Sequence, residues 1–321
     1  MKDTVNIFYA TDINYLAPLA VSLRSLSENA DSQREYRVRV LASGVSDEVL
    51  PRLTYGLREN IHVSLHDLGE KIAHIKRELS ERLRDYYSES IYYRMFIPSM
   101  FPELDRAVYV DCDTVVNADI GTLYDTDTRD CLLCAVSDES VLAEPIFCDY
   151  VKRQTGVLTE TEYFNSGVLV MNLTAIRAAK IEEKFLHILC KYNLPTVAPD
   201  QDYLNFLCRG RVHYLPSGWN KHAIDGRTIP DSELYIMHFN MFNKPWHYEN
   251  VQNEQLFWRY ADSTAYGDEL RSGLKNYTDG MRKIDLEGAN QLLLSAKEIT
   301  NSGIGIADVI ANGYFELVGL N

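Results

Sequence analysis

What most constrains this chain is the alternation at its start. Residues 5–10 (VNIFYA) are a short apolar run of β-branched and aromatic types, and in the stretch after them, LAPLAVSLRSL, Leu16, Leu19, Ala20, Leu23 and Leu26 recur at helical spacing. A second strand pattern runs over 36–43 (YRVRVLAS), Ser46 stands where it can cap a helix opening with Asp47 and Glu48, and a third strand pattern follows at 61–68 (IHVSLHDL). A β-α-β-α-β opening predicts a parallel sheet with helices packed on it.

The remainder extends the same pattern and then abandons it. Residues 70–99 turn helical and charged; 106–111, 131–138, 163–173 and 233–239 read as strands, 174–192 as an amphipathic helix, and 199–207 opens another. After about residue 247 the β signal fades and the chain reads as helical. The expectation is an α/β domain over 1–247 and a mainly helical extension over 248–321.

Composition limits what such a domain can do. Hydrophobic residues make up 46% and charged residues 24%, as in a soluble globular protein that buries a core. With 32 basic and 46 acidic residues the net charge is −14, a sign that repels phosphate backbones and anionic lipid, so nucleic acid is not an expected partner. A small anionic substrate would need a local cation or a metal. At the start of the chain Asp12 and Asn14 interrupt the apolar run a secretory signal requires, and no run of about 18 apolar residues occurs. The expected location is therefore cytoplasmic, at most peripheral at the inner face of a membrane, with the six cysteines reduced. Cys131 and Cys134 form a CxxC, but a spacing of three in a strand predicts thiols on opposite faces, which favours a structural role.

In open α/β sheets ligands bind beyond the carboxyl ends of the strands, which gathers Asp12, Asn14, Asp111, Asp113, Asp138 and His238. No glycine-rich phosphate loop follows the first strand. The pattern Asp-x-Asp occurs three times, at 111–113, 125–127 and 200–202. The middle copy, in YDTDTRD, reads as a solvated turn. The first ends a hydrophobic strand, where a period of two puts both carboxylates on one face and Cys112 on the other. Two like charges buried together need a cation between them, and oxygen ligands suit Mg²⁺ or Mn²⁺, with an added His tilting the choice to Mn²⁺. Such an ion neutralises a diphosphate leaving group.

Six stretches in order, AxDxNY (10–15), YYR ending at Arg94, VYVDCDTVV (108–116), YFNSGVLVMNL (163–173), PDQDYLN (199–205) and HFNMFNKPWH (238–247), together resemble family 8 glycosyltransferases, the retaining GT-A enzymes. The likeness is greatest to bacterial galactosyl- and glucosyltransferases that extend lipooligosaccharide or glycosylate surface proteins. It implies a GT-A fold, a mixed and mostly parallel sheet flanked by helices, and a Mn²⁺-dependent transfer of galactose or glucose from a UDP-sugar to a carbohydrate or glycoprotein acceptor. Asp111, Asp113 and His238 would bind the metal; Ala10, Thr11, Asp12, Asn14 and Tyr15 would hold uracil and ribose, with Cys112 in the same donor-binding set. Lys244 would contact the diphosphate. Arg94, Asp138, Asn165, Asp200, Gln201 and Asp202 would surround the hexose, with Gln201 or Asp202 as the catalytic group on the sugar's β face. The acceptor would lie against 70–90 and the loop 215–230.

Two departures stand out. Met241 occupies a position where relatives often carry glycine, and residues 260–321 are net acidic where the lipooligosaccharide enzymes carry a basic, aromatic docking segment. Each site residue also has a plainer reading. Asp12 and Asn14 can cap the first helix, His238 can be a hydrogen-bonded strand-end histidine, and Arg94 can pair with Glu89. Asp200 can cap a helix whose first turn holds Asp202, and Trp246 can be a packing residue. A metal-dependent phosphohydrolase or nucleotidyltransferase, and a sugar-nucleotide-binding protein without turnover, are the alternatives in function.

Overall fold

The protein is described by a computed structural model covering residues 3–69, 89–192, 194–224, 227–303 and 305–311. The expected helix from residue 70, and most of the expected acceptor segment 70–90, lie outside the described residues; Glu89–Phe96 forms tight 3₁₀ turns and Ile97–Met100 a single α turn.

β1 (Thr4–Ala10) pairs in parallel with β2 (Glu35–Ala42), from Thr4 opposite Glu35 to Ala10 opposite Leu41, and β2 pairs in parallel with β3 (Ile61–Asp67). The other edge of β1 takes β4 (Arg106–Val110), also parallel. Val5 to Ala10 are all buried, because helices cover one face of the sheet and the 3₁₀ turns the other, which is why β1 reads as a continuous apolar run. Helix α1 (Leu16–Asn29) lays Leu16, Leu19, Ala20, Leu23 and Leu26 against β1, as their spacing predicts. Beyond β4 the direction reverses: β7 (Phe164–Asn172) runs antiparallel to β4 and to β6 (Leu133–Ser137), and β8 (Val212–Tyr214) closes the edge in parallel with β6. The order is β3-β2-β1-β4-β7-β6-β8, a mixed and mostly parallel seven-stranded sheet.

The strand expected at 233–239 is not in that sheet. β10 (Ile236–His238) lies between β5 (Thr114–Val116), antiparallel to it, and β9 (Lys221–His222), parallel to it, in a small second sheet. The chain passes from one sheet to the other across residues 111–113. The Asp111 N–H donates to Gly167 O of β7 at 2.8 Å, while Asp113 O accepts from the Phe239 N–H just past β10 at 2.9 Å. The two acids therefore sit at the seam between two rigid sheets, each held by a backbone bond to a different one.

The CxxC expectation also needs correction. Cys131 precedes β6 rather than belonging to it, so strand alternation does not apply, and the two sulfurs face each other at 3.7 Å. Burial pushes the Cys134 thiol up, which keeps it protonated and inert.

Between residues 254 and 311 the described residues are mainly helical, as expected. Glu254–Ala261 and Gly267–Asn276 bury Phe257, Tyr260, Ala261 and Leu270 in the core shared by β1 and α1. Trp246 packs on Phe257 with ring centroids 5.0 Å apart, a packing role. The long helix Asp279–Ser302, capped by the Thr278 hydroxyl, packs Ala296 and Ile299 toward the Pro145–Thr155 helix. No helix among the described residues is long and apolar enough to cross a membrane.

Candidate active site

At the seam, one ligand atom each of Asp111, Asp113 and His238 lies within 4.8 Å of the other two. His238 Nε2 is 3.1 Å from Asp113 Oδ1 and 3.9 Å from Asp111 Oδ2. The other ring nitrogen, Nδ1, bonds Asn220 Oδ1 at 2.8 Å, and an amide oxygen only accepts, so Nδ1 carries the proton and Nε2 presents its lone pair to the carboxylates. Gly167 makes the approach possible: a Cβ there would stand 2.4 Å from His238 Cε1 and 2.6 Å from Asp111 Oδ2. Two carboxylates and a correctly tautomerised imidazole, from elements fixed by two sheets, are a donor set that suits Mn²⁺ or Mg²⁺.

Two cations manage the charge of the acids in different ways. Arg94, 4% exposed, reaches Asp111 Oδ1 at 3.0 Å and Asp200 Oδ2 at 3.3 Å, while donating to Ser166 Oγ at 2.9 Å and to Ser166 O. The side chain of Glu89, the alternative partner expected for Arg94, lies outside those described. Tyr109 OH adds a bond to Asp111 Oδ1 at 2.8 Å, which leaves Oδ2 as the oxygen directed to His238. On the other side the Lys244 ammonium contacts Asp113 Oδ2 and donates to Phe239 O at 2.6 Å. Burial alone would raise the Asp113 carboxyl; the Lys244 ammonium overcomes it and holds the group well below the usual carboxylate range.

A cleft of about 320 Å³ opens in front of this cluster, lined by Ala10, Thr11, Asp12, Tyr15, Arg94, Asp111, Cys112 and Asp113 among others. Asp12 Oδ1 accepts from the Asn14 N–H at 2.8 Å, so the capping reading holds for Asp12, while Asn14 is exposed and is not among the residues lining the cleft. Thr11 is tied to β2 through its N–H to Leu41 O at 2.9 Å. Cys112 lines the same cleft, at a turn rather than in a strand, so alternation does not turn it away from the acids; its thiol donates to Ala10 O at 3.1 Å. Burial, then Asp111, push that thiol well above its ordinary value, so it packs rather than reacts.

Behind the cluster the remaining candidates form one network. Asp138 caps the Glu139–Ala143 helix through Oδ1 (Ser140 N–H at 2.8 Å) and accepts through Oδ2 from Asn165 Nδ2 at 3.0 Å and Gln201 Nε2 at 2.9 Å. Asn165 Oδ1 accepts from Asn220 Nδ2 at 2.9 Å, and Asn220 orients His238, so the network runs unbroken from Gln201 to the His238 imidazole. Gln201 Oε1 accepts from the Ser166 N–H at 2.9 Å.

Asp202 stands apart. It is fully buried and takes Tyr150 OH at 2.5 Å, Tyr163 OH at 2.7 Å and the N–H groups of Val197 and Ala198, both at 3.2 Å. It, not Asp200, satisfies the start of the Pro199–Cys208 helix; Asp200 already lies inside that helix and turns to Arg94 and Ser166. The capping expectation for Asp200 fails because the helix already begins at Pro199 with Ala198 at the cap position, and the two acids diverge because successive helical positions rotate by about 100°. Burial drives the Asp202 carboxyl up to about 7 against the lowering effect of its tyrosines and backbone donors.

Sequence reasoning passed over Gly167, Ser166, Tyr109, Asn220 and His222. His222 is fully buried, its ring edge-on to His238 with centroids 5.4 Å apart and Nδ1 bonded to Ser140 Oγ at 3.1 Å. Burial lowers it to about 4, which keeps it neutral beside the metal ligands. Gly167 and Ser166 lie within the quoted 163–173 stretch, but nothing local marks a glycine as the floor of a metal site.

The sequence profile of Glycosyl transferase family 8 matches residues 6–250. The chain belongs to this family. It is 27% identical over 261 residues to the lipopolysaccharide 1,2-glucosyltransferase of Escherichia coli K12, covering 77% of this chain and 74% of that protein. To general stress protein A of Bacillus subtilis it is 25% identical over 266 residues, 76% of this chain and 88% of that one. Among solved structures, the galactosyltransferase LgtC in complex with donor and acceptor sugar analogues superimposes with a TM-score of 0.66 at 25% identity, covering 84% of this chain and all of that one. The fold is therefore GT-A and the protein a glycosyltransferase; family 8 membership accounts for the ordered motifs ending at His247. The helices beyond residue 250 lie outside the family match.

Proposed function

We propose that this glycosyltransferase moves galactose or glucose from a UDP-sugar to a carbohydrate or glycoprotein acceptor with retention of configuration, in a Mn²⁺-dependent reaction. One observation carries the reading: Asp111, Asp113 and His238 converge beside a cleft lined by Ala10, Thr11, Asp12 and Tyr15. The relatives named for glucosyl and galactosyl transfer, one of them bound to donor and acceptor analogues, support the donor and acceptor classes. A divalent ion held by the three side chains would supply charge neutralisation for the departing diphosphate.

The chain's own residues do the rest. Ala10, Thr11, Asp12, Asn14 and Tyr15 hold uracil and ribose at the end of β1, and Lys244 takes the diphosphate. Asp138, Asn165 and Asp200 bind hexose hydroxyls from a network already hydrogen-bonded before the sugar arrives, so little reorganisation is needed at the moment of transfer. Of the two candidates for the sugar's β face, Gln201 is preferred. Its amide has a second N–H beyond the one given to Asp138, whereas Asp202 spends its carboxylate on four donors inside the core. A lipopolysaccharide-type glycan is the favoured acceptor, by analogy with the Escherichia coli relative, met at the cytoplasmic side of the membrane.

Incubation with UDP-galactose and UDP-glucose tests this. Slow UDP release that requires Mn²⁺ and disappears in Asp111→Asn is expected even without acceptor. A protein that neither binds nor cleaves any UDP-hexose with Mn²⁺ present overturns the reading, and inorganic phosphate or diphosphate as product would mark a phosphohydrolase or nucleotidyltransferase instead.

A further inference from the structure

The two cations of the seam differ in how firmly they are held. The Arg94 guanidinium is fixed at both ends, by Asp111, by Asp200, and by the hydroxyl and carbonyl of Ser166. Among the described residues Lys244 has two polar side-chain contacts, Asp113 Oδ2 and Phe239 O, at the end of a flexible stem. The rings of Tyr15 and Trp246 flank its ammonium at 5.9 and 5.7 Å, and Tyr15 also lines the cleft. Asp113 is thus shared: Oδ2 faces Lys244 and Oδ1 faces His238 Nε2 at 3.1 Å.

We propose that Lys244 is a movable counter-ion of the metal seat, which competes with the divalent ion for Asp113 until a diphosphate draws it away. This rests on the metal reading above. An ion bound at Oδ1 sits across one carboxylate from an ammonium, in a buried site where salt screens poorly, so the two cations oppose each other. An entering diphosphate offers the ammonium several charged oxygens in place of one carboxylate oxygen and one carbonyl. Once Lys244 swings to it, Asp113 is fully available to the ion. Metal and nucleotide then bind as a pair, and each tightens the other by the same factor. Arg94 cannot take part, because its partners hold it in every direction.

The test measures Mn²⁺ affinity by electron paramagnetic resonance or calorimetry on the full chain, without nucleotide and with UDP, in wild type, Lys244→Met and Lys244→Gln. In wild type, UDP should tighten Mn²⁺ at least tenfold. Without nucleotide, either variant should bind Mn²⁺ at least tenfold more tightly than wild type, which is about 1.4 kcal/mol, while binding UDP more weakly and showing a smaller coupling factor. Variants that fold with wild-type circular dichroism yet bind nucleotide-free Mn²⁺ no more tightly overturn the inference. If neither variant folds, wild-type Mn²⁺ affinity that is equal with and without UDP overturns it just as well. Failure of the wild type to bind Mn²⁺ under any condition is a different result, and removes the metal reading beneath it.

Discussion

Asp111-Cys-Asp113 and Asp200-Gln-Asp202 are the same three-residue pattern put to opposite uses. In the first the backbone turns at the seam between two sheets, each acid tied by a backbone bond to a different one, and both carboxylates meet His238. In the second the backbone is helical, so the carboxylates part: Asp200 meets Arg94 and Ser166 near the site, and Asp202 meets two tyrosines and two backbone amides in the core. The charge is handled differently as well. Arg94 meets Asp111 and Lys244 meets Asp113, which Lys244 holds ionised, while Asp202 meets neutral donors and is raised to about 7. A third copy, Asp125-Thr-Asp127, is exposed and pairs outward with Arg34 and Arg129. The spacing of two acids says little until the backbone between them is known.

The comparison predicts its largest effect at Asp113. Asp113→Asn should lower Mn²⁺-dependent UDP-hexose hydrolysis by about 10³-fold, the scale of losing a charged group from a preorganised site, whereas Asp202→Asn should stay within about tenfold of wild type per folded molecule. Equal losses in steady-state UDP release would break the distinction.

Stability should show the reverse asymmetry. Asp202 is raised from its ordinary 3.8 to about 7 in the folded protein, so between those values the native state holds a proton the unfolded chain has lost. Its contribution is full below about pH 4 and disappears as pH climbs through 7, a span of roughly 4 kcal/mol at one pKa unit per 1.36 kcal/mol. Denaturant midpoints at pH 5, 6, 7 and 8 should fall more steeply for wild type than for Asp202→Asn. Identical slopes would show that Asp202 does not titrate in that window.

A smaller effect belongs to the floor of the seam. Gly167→Ala places a methyl against His238 and Asp111, and calorimetry should find Mn²⁺ bound 10- to 100-fold more weakly, as for a lost supporting residue. Unchanged affinity would mean the seam is looser than its distances imply. The smallest change is at Met241, whose φ of 56° is left-handed. Met241→Gly removes about 1–2 kcal/mol of strain and adds back about 0.4–1 kcal/mol of unfolded-chain entropy, a net gain of roughly 0.5 kcal/mol in denaturant midpoint at constant m. A loss of stability would indicate that the methionine side chain, half exposed, contributes packing that outweighs the strain.

Much of this was legible beforehand because it is local or periodic. The burial of β1 and the apolar face of α1 follow from composition and spacing, and the six ordered motifs pointed to the family. The backbone at Met241 is left-handed, the conformation that favours glycine, which the resemblance leads one to expect near this position. What escaped is what depends on neighbours distant in the chain. A three-residue strand such as β10 looks the same whichever sheet it joins, so His238 was placed in the wrong one although it was expected at the site. Asn220 becomes visible only once His238 is seen to need a proton fixed on Nδ1, and Gly167 only once two ligands are seen to crowd it. The facing thiols of Cys131 and Cys134 depended on where β6 begins, a boundary that residue patterns define poorly.

The account rests on one ion position. Crystals of the full chain soaked in Mn²⁺ and UDP, with data collected at the manganese absorption edge, should show an anomalous peak bounded by an Asp111 oxygen, an Asp113 oxygen and His238 Nε2. A peak elsewhere in the molecule, or ordered UDP with no anomalous density at the seam, would contradict it.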